Sequence, residues 1–199
     1  MSNEPALNIK TGDGRFARSK KTKDAIVRAL LKLLRNTPFP TAEQVAKHSN
    51  IGLRTVFRQF DEMDGLIRSC HEKIMAEFEN FLINQSVADK TLKNRIAFLI
   101  NERIKIYSQY KNVFASSILN MQKFNSIREG FIEGNLRLKK RFEDIIPEVL
   151  KLSSVDQAYL DTSISFASWY RLSIFHKFSD QVIIDKFSSE TSRLLNLEG

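Results

Sequence analysis

Thr41-Ala-Glu-Gln-Val-Ala-Lys-His-Ser-Asn-Ile-Gly-Leu-Arg-Thr-Val-Phe-Arg-Gln-Phe60 reads as two short helices joined by a tight turn. Thr41 followed three residues on by Gln44 fits a capping box, in which side chain and backbone hydrogen-bond reciprocally to start a helix. Val45 and Ala46 then turn inward, and Ala46 is small enough for a second helix to cross close by. Ser49-Asn50 breaks the first helix, since Asn tolerates the left-handed backbone that a sharp turn needs. Ile51 returns to the core and Gly52 opens the second helix. On that helix Val56, Phe57 and Phe60 are the expected apolar anchors. Leu53, Arg54, Thr55, Arg58 and Gln59 are left to face outward. The pattern is a helix-turn-helix.

Upstream, Ile26, Leu30, Leu33 and Leu34 recur at helical spacing, with Val27 and Leu31 widening the stripe, so a helix is expected over about 21–36. Pro38 and Pro40 end it, because they lack amide donors and push the preceding residues toward extended backbone. Phe39 between them is placed to plug a small core. Residues 1–17 hold Gly12 and Gly14, few apolar side chains and no period, and read as a flexible basic arm. Downstream, Leu66, Ile67, Cys70, Ile74, Phe78 and Leu82 mark a long helix starting near Glu62. Further amphipathic segments fall at roughly 89–108, 110–123, 125–150, 154–177 and 180–196. Gly and Pro number only 7 and 4, which suits helices. The expected fold is all-α with about nine helices: the arm, a helix-turn-helix domain over 18–68, and a C-terminal helical domain over 69–199.

At 199 residues and 42% hydrophobic composition the chain can bury a sizeable core. No segment approaches the roughly 18 uninterrupted apolar residues of a membrane span. The first residues are polar and basic without a secretory apolar run, and Cys70 is the single cysteine, so a soluble cytoplasmic protein without membrane attachment is expected. Residues 1–70 hold 13 Lys+Arg against 7 Asp+Glu, a net of +6; residues 71–199 hold 18 against 16, a net of +2; together they make the total of +8. Most of the positive excess therefore accompanies the helix-turn-helix. Basic charge there is the footprint of a phosphate-binding surface, and the second helix of such a motif enters the DNA major groove.

The order Val45-Ala46, Ile51-Gly52-Leu53-Arg54-Thr55-Val56-Phe57-Arg58-Gln59-Phe60, Asp64-Gly65-Leu66 at the N-terminus of an all-helical chain resembles the tetracycline-repressor (TetR/AcrR) family of transcriptional regulators. Near the C-terminus, Phe166-Ala-Ser-Trp-Tyr-Arg-Leu172 followed by Leu194-Leu195 is similar to the family's last two helices. Asn50 stands at the family's turn glycine, Phe57 at its phosphate-contacting tyrosine, Gln59 at its histidine or tyrosine, and Met63 at its lysine. The resemblance implies a homodimer that joins through the last two helices and binds a pseudo-palindromic double-stranded operator, as a repressor. It also implies a ligand cavity in the C-terminal helices, with changes in the spacing of the reading units passed on through the long helix from about residue 62.

The expected DNA contacts are Arg18, Thr41, Gly52, Leu53, Arg54, Thr55, Phe57, Arg58 and Gln59. Arginine pairs bidentately with guanine edges and phosphates, the threonines suit phosphate hydrogen bonds, and an exposed Leu53 suits a thymine methyl. Arg18 is placed to reach phosphate or the minor groove. The C-terminal part is rich in Phe, most of it core. Phe114, Phe131, Trp169, Tyr170 and His176 are the candidate contacts to an apolar or aromatic small-molecule effector. Residues 154–177 carry apolar side chains around the whole circumference, so a second copy of the chain is expected to cover part of that helix. No enzyme, cofactor or metal is expected. His48, His71 and His176 are scattered, Cys70 lies on an apolar stripe, and no phosphate-binding glycine loop occurs. The competing reading is a helical interaction protein that keeps the fold without specific operator binding, suggested by Phe57 and Met63.

Overall fold

The computed structural model describes residues 13–37, 40–60, 63–82, 87 and 90–195, and every regular element among them is helical. In chain order these are α1 (Asp13–Leu34), α2 (Ala42–Ser49), α3 (Leu53–Phe60), α4 (Met63–Leu82), α5 (Leu92–Gln109), α6 (Lys111–Asn120) and α7 (Asn125–Ile145). A 3-10 turn (Pro147–Lys151), α8 (Ser154–Ser163) and α9 (Phe166–Tyr170) follow. α9 runs straight into a π-helical stretch (Arg171–Phe175), and α10 (Asp180–Leu194) comes last. The nine expected spans are all helical, so the all-α reading stands.

Three boundaries differ from the sequence reading, each for a local reason. α1 begins at Asp13, so residues 13–17 of the expected arm are helical; residues 1–12 lie outside the described residues. The span 154–177 is broken: Ile164 closes α8, and the Ser165 hydroxyl accepts from the Ser168 amide at 3.4 Å to cap α9. α7 stops at Ile145, because Pro147 has no amide to donate back into the helix.

Two cores organise these elements. The smaller gathers Ile26, Val27, Ala29 and Leu30 of α1, Val45 and Ala46 of α2, Val56 of α3, and Leu66 and Cys70 of α4. The larger takes Ile74, Met75 and Phe78 of α4 and then the buried faces of α5 to α10. α4 thus serves both cores, and Leu31 of α1 packs against both. The expected domain boundary at 68/69 falls inside α4, and Cys70 belongs to the N-terminal core rather than to the C-terminal one. Burial pushes its thiol up to about 12, so it behaves as a small apolar residue. The expected plug Phe39 lies outside the described residues.

Tyr107 stands at the centre of the larger core. Its hydroxyl donates to the Ile164 carbonyl at 3.1 Å, and its ring meets Phe114 and Phe166 edge-on. Nearby Arg103 is 3% exposed, donates to the Leu138 carbonyl at 2.7 Å, faces Asp161 at 3.4 Å and lies over the Phe142 ring. A charge so deeply buried is tolerated because it is paired in this way.

Candidate functional site

The helix-turn-helix is built as its residues dictate. Thr41 caps α2: its Oγ1 accepts from the Gln44 amide at 3.3 Å, and the Thr41 amide donates to Gln44 Oε1 at 2.8 Å. Asn50 takes the left-handed conformation at φ 55°. Its amide bonds the Lys47 carbonyl at 3.3 Å and the Ile51 amide bonds that of Ala46 at 3.1 Å, which is the Schellman closure of a helix. Gly52 accepts from the amides of Thr55 and Val56 and opens α3. A Cβ at Gly52 would meet nothing within 4 Å, so the backbone there is open to an incoming group.

On α3, Val56 is buried at 2%, while Arg54, Phe57 and Arg58 are exposed. Those three positions share one face of a helix, at i, i+3 and i+4. Phe57 was expected as an apolar anchor as well as a contact; at 48% exposure it belongs to the outward face only. The side chain of Phe60, the other expected anchor, lies outside the described residues. Leu53 is corrected in the opposite sense. It is half-buried against the smaller core, rather than facing outward as the sequence pattern predicts. Thr55 is half-buried. Gln59 is half-buried too, and its Oε1 accepts from Ser19 Oγ at 3.0 Å. That bond holds the N-terminal turns of α1, including exposed Arg18, against the end of α3.

Arg18, Arg54 and Arg58 make no ion pair with any described residue. Arg95, Arg103, Arg137, Arg141 and Arg193 of the C-terminal body each hold a carboxylate.

A cavity of about 360 Å³ lies where the two cores meet. Its walls come from the end of α1, the start of α2, α4, α6 and α7. Phe114 and Phe131 line it. Trp169, Tyr170 and His176 do not. Trp169 is buried in the aromatic cluster with Tyr107 and Phe166, its indole donating to Asp180 Oδ1 at 2.9 Å. Tyr170 is partly exposed beside Phe166, and exposed His176 stacks on Phe178. They sit past the break at Ile164–Ser165. The sequence reading missed Pro40, Thr41 and Ala42, which bring the N-terminus of α2 into the cavity wall.

Exposed apolar side chains cluster at the C-terminal end: Val155 and Tyr159 of α8, Ile174 and Phe175 of the π stretch, Phe178, and Val182 of α10. Leu160, Ile164, Phe166, Trp169, Ile183 and Phe187 are buried within the chain itself. The apolar circumference of 154–177 is therefore covered largely from within. No helix among the described residues is long and apolar enough to cross a membrane. No protein-family model matches the chain, and no curated protein is significantly similar to it.

Proposed function

We propose that this chain is a ligand-responsive, DNA-binding transcriptional regulator of the tetracycline-repressor type, non-enzymatic, acting as a homodimer and as a repressor. One observation carries the reading: a capped helix-turn-helix presents Arg54 and Arg58 on one face of α3, paired with no carboxylate among the described residues, with α1, which carries Arg18, bonded to the end of α3 through Ser19 and Gln59. In this reading α3 enters a major groove with Arg54 and Arg58 on base edges or phosphates, and the open backbone at Gly52 allows close approach to a strand. Two copies place their α3 helices at half-sites about one helical turn apart, roughly 34–36 Å. The cavity between the cores is the effector site, and α4, shared by both cores, carries the change in spacing that lowers operator affinity.

A mobility shift with genomic fragments tests this. The parent chain is expected to give a specific shifted band, and Arg54→Ala to weaken it by about 1–3 kcal/mol at the same salt. Only weak, sequence-independent binding at low salt would instead favour the helical interaction protein. An Arg54→Ala chain that binds the selected fragment as tightly as the parent would remove α3 from the reading surface.

A further inference from the structure

The cavity walls carry formal charge of one sign. Leu34, Ile74, Phe78, Phe114 and Phe131 give it an apolar interior, and no aspartate or glutamate among the described residues lines it. Of its two basic residues, His71 is already engaged, with Nε2 3.0 Å from the Glu133 carboxylate. Lys123 is not. Its ammonium rests over the Phe124 ring at 5.3 Å and meets no carboxylate among the described residues. The neutral polar groups are mostly occupied as well: Ser117 donates to the Val113 carbonyl at 2.9 Å, and Asn120 to that of Ser116 at 2.9 Å. The Ser116 hydroxyl makes no hydrogen bond with any described residue. Among the described residues the cavity thus offers one cation that meets no carboxylate, Lys123, in the turn after α6, with the unbonded Ser116 hydroxyl on α6.

We infer that the cavity takes an amphiphilic monoanion, an apolar body carrying a single carboxylate that pairs with Lys123 near Ser116. The inference rests on the reading of this cavity as the effector site and names the effector's class. Lys123 is itself exposed and so stands at the mouth of the cavity. The apolar body fills the space behind it, and a carboxylate replaces water on the ammonium with a charge-assisted hydrogen bond. A cationic amphiphile meets like charge with no acid to offset it. Because Leu34, Thr41 and Ala42 share the wall with α4, α6 and α7, the bound molecule touches the reading unit directly and fixes its position relative to the body.

Calorimetric titration of the full chain, without DNA, with octanoate, 1-octanol and octylamine decides the matter. Octanoate is expected to bind about tenfold more tightly than 1-octanol, with octylamine weakest. Lys123→Gln should remove the preference for octanoate while leaving 1-octanol binding unchanged. Gly134→Leu fills the cavity from α7, where a Cβ has room, its nearest neighbour being Met75 Cε at 4.0 Å. With helix content intact it should abolish both. Equal binding of octanoate and 1-octanol, a preference for octylamine, an octanoate affinity untouched by Lys123→Gln, or no octanoate binding by the parent each overturns the anion site. A specific DNA band without octanoate binding sinks this inference and leaves the regulator standing. Lys123-dependent octanoate binding without any specific band does the reverse.

Discussion

Gly130 and Gly134 lie one turn apart on α7, and a methyl group added to each meets different surroundings. At Gly134 the nearest atom is 4.0 Å away; at Gly130 the Cβ would stand 2.7 Å from Nδ1 of His71 and 3.0 Å from its Cγ. Neither glycine has a positive φ, so alanine fits the backbone at both. Gly134→Ala should therefore stabilise the chain by about 0.5–1 kcal/mol through helix propensity alone. Gly130→Ala pushes the His71 ring off Glu133 and should be worse than Gly134→Ala by about 1 kcal/mol. Denaturant midpoints of both variants, repeated in a His71→Ala background, check this: without the ring, the two glycine replacements should become equivalent. The helix-turn-helix residues were largely legible at this scale. Thr41, Gln44 and Asn50 act through neighbours within a few positions, and local chemistry decides their conformation. Leu53 and Gln59 were misplaced because their surroundings are α1, some forty residues earlier for the Ser19–Gln59 pair, and no local pattern reports that crossing.

Elements depend on partners that spacing alone does not reveal, and the exit from α7 is an example. The Ile145 carbonyl at its last turn accepts from Arg95 Nη1 of α5 at 2.6 Å. The same guanidinium grips Glu148 of the 3-10 turn through two bonds, at 2.5 and 3.0 Å. The Arg95 hydrogen bond holds the Glu148 carboxyl below its ordinary value. A lowered carboxylate contributes stability that is present in full above its unfolded value, about 4.3, and is lost as pH falls through the lower folded value. The clamp is partly exposed, so its contribution is on the order of 1 kcal/mol. Glu133 and Glu190 are lowered too, by His71 and Lys186 first, and add to the same acid transition. The informative quantity is thus the difference between parent and Glu148→Gln. It should be constant from pH 7 to 5 and shrink toward zero below about 4, as protonation removes in the parent what the substitution already lacks. A difference that stays flat to the acid limit would show that the clamp carries no charge-dependent stability. The nine helical spans were readable because periodicity and proline act locally. The break at Ile164–Ser165 was not, because a serine cap inside a continuous apolar pattern looks like one more polar position.

The molecule as a whole leaves apolar surface that its own helices do not cover, and this is where a second copy is expected. Leu160, Ile164, Phe166 and Trp169, within the segment 154–177 that a second copy is expected to cover in part, fill the chain's own core. What remains outside is Val155 at 75%, Tyr159 at 61%, Phe175 at 70% and Val182 at 51% exposure. These stand on elements that touch one another, since α10 packs against both α8 and the π stretch. In the proposed homodimer this exposed apolar surface on joined elements is the interface, since a two-fold axis lets one patch cover itself. Phe175→Glu should therefore leave helix content nearly unchanged, separate the subunits and abolish operator binding, because a monomer reaches only one half-site. A second exposed apolar pair, Ile132 and Leu136 on α7, provides the control: Leu136→Glu should leave the dimer intact. Light scattering at micromolar protein reads both outcomes. A monomeric parent would overturn the dimer and the two-half-site reading with it, whereas a dimer split by Leu136→Glu but not by Phe175→Glu would move the axis to α7.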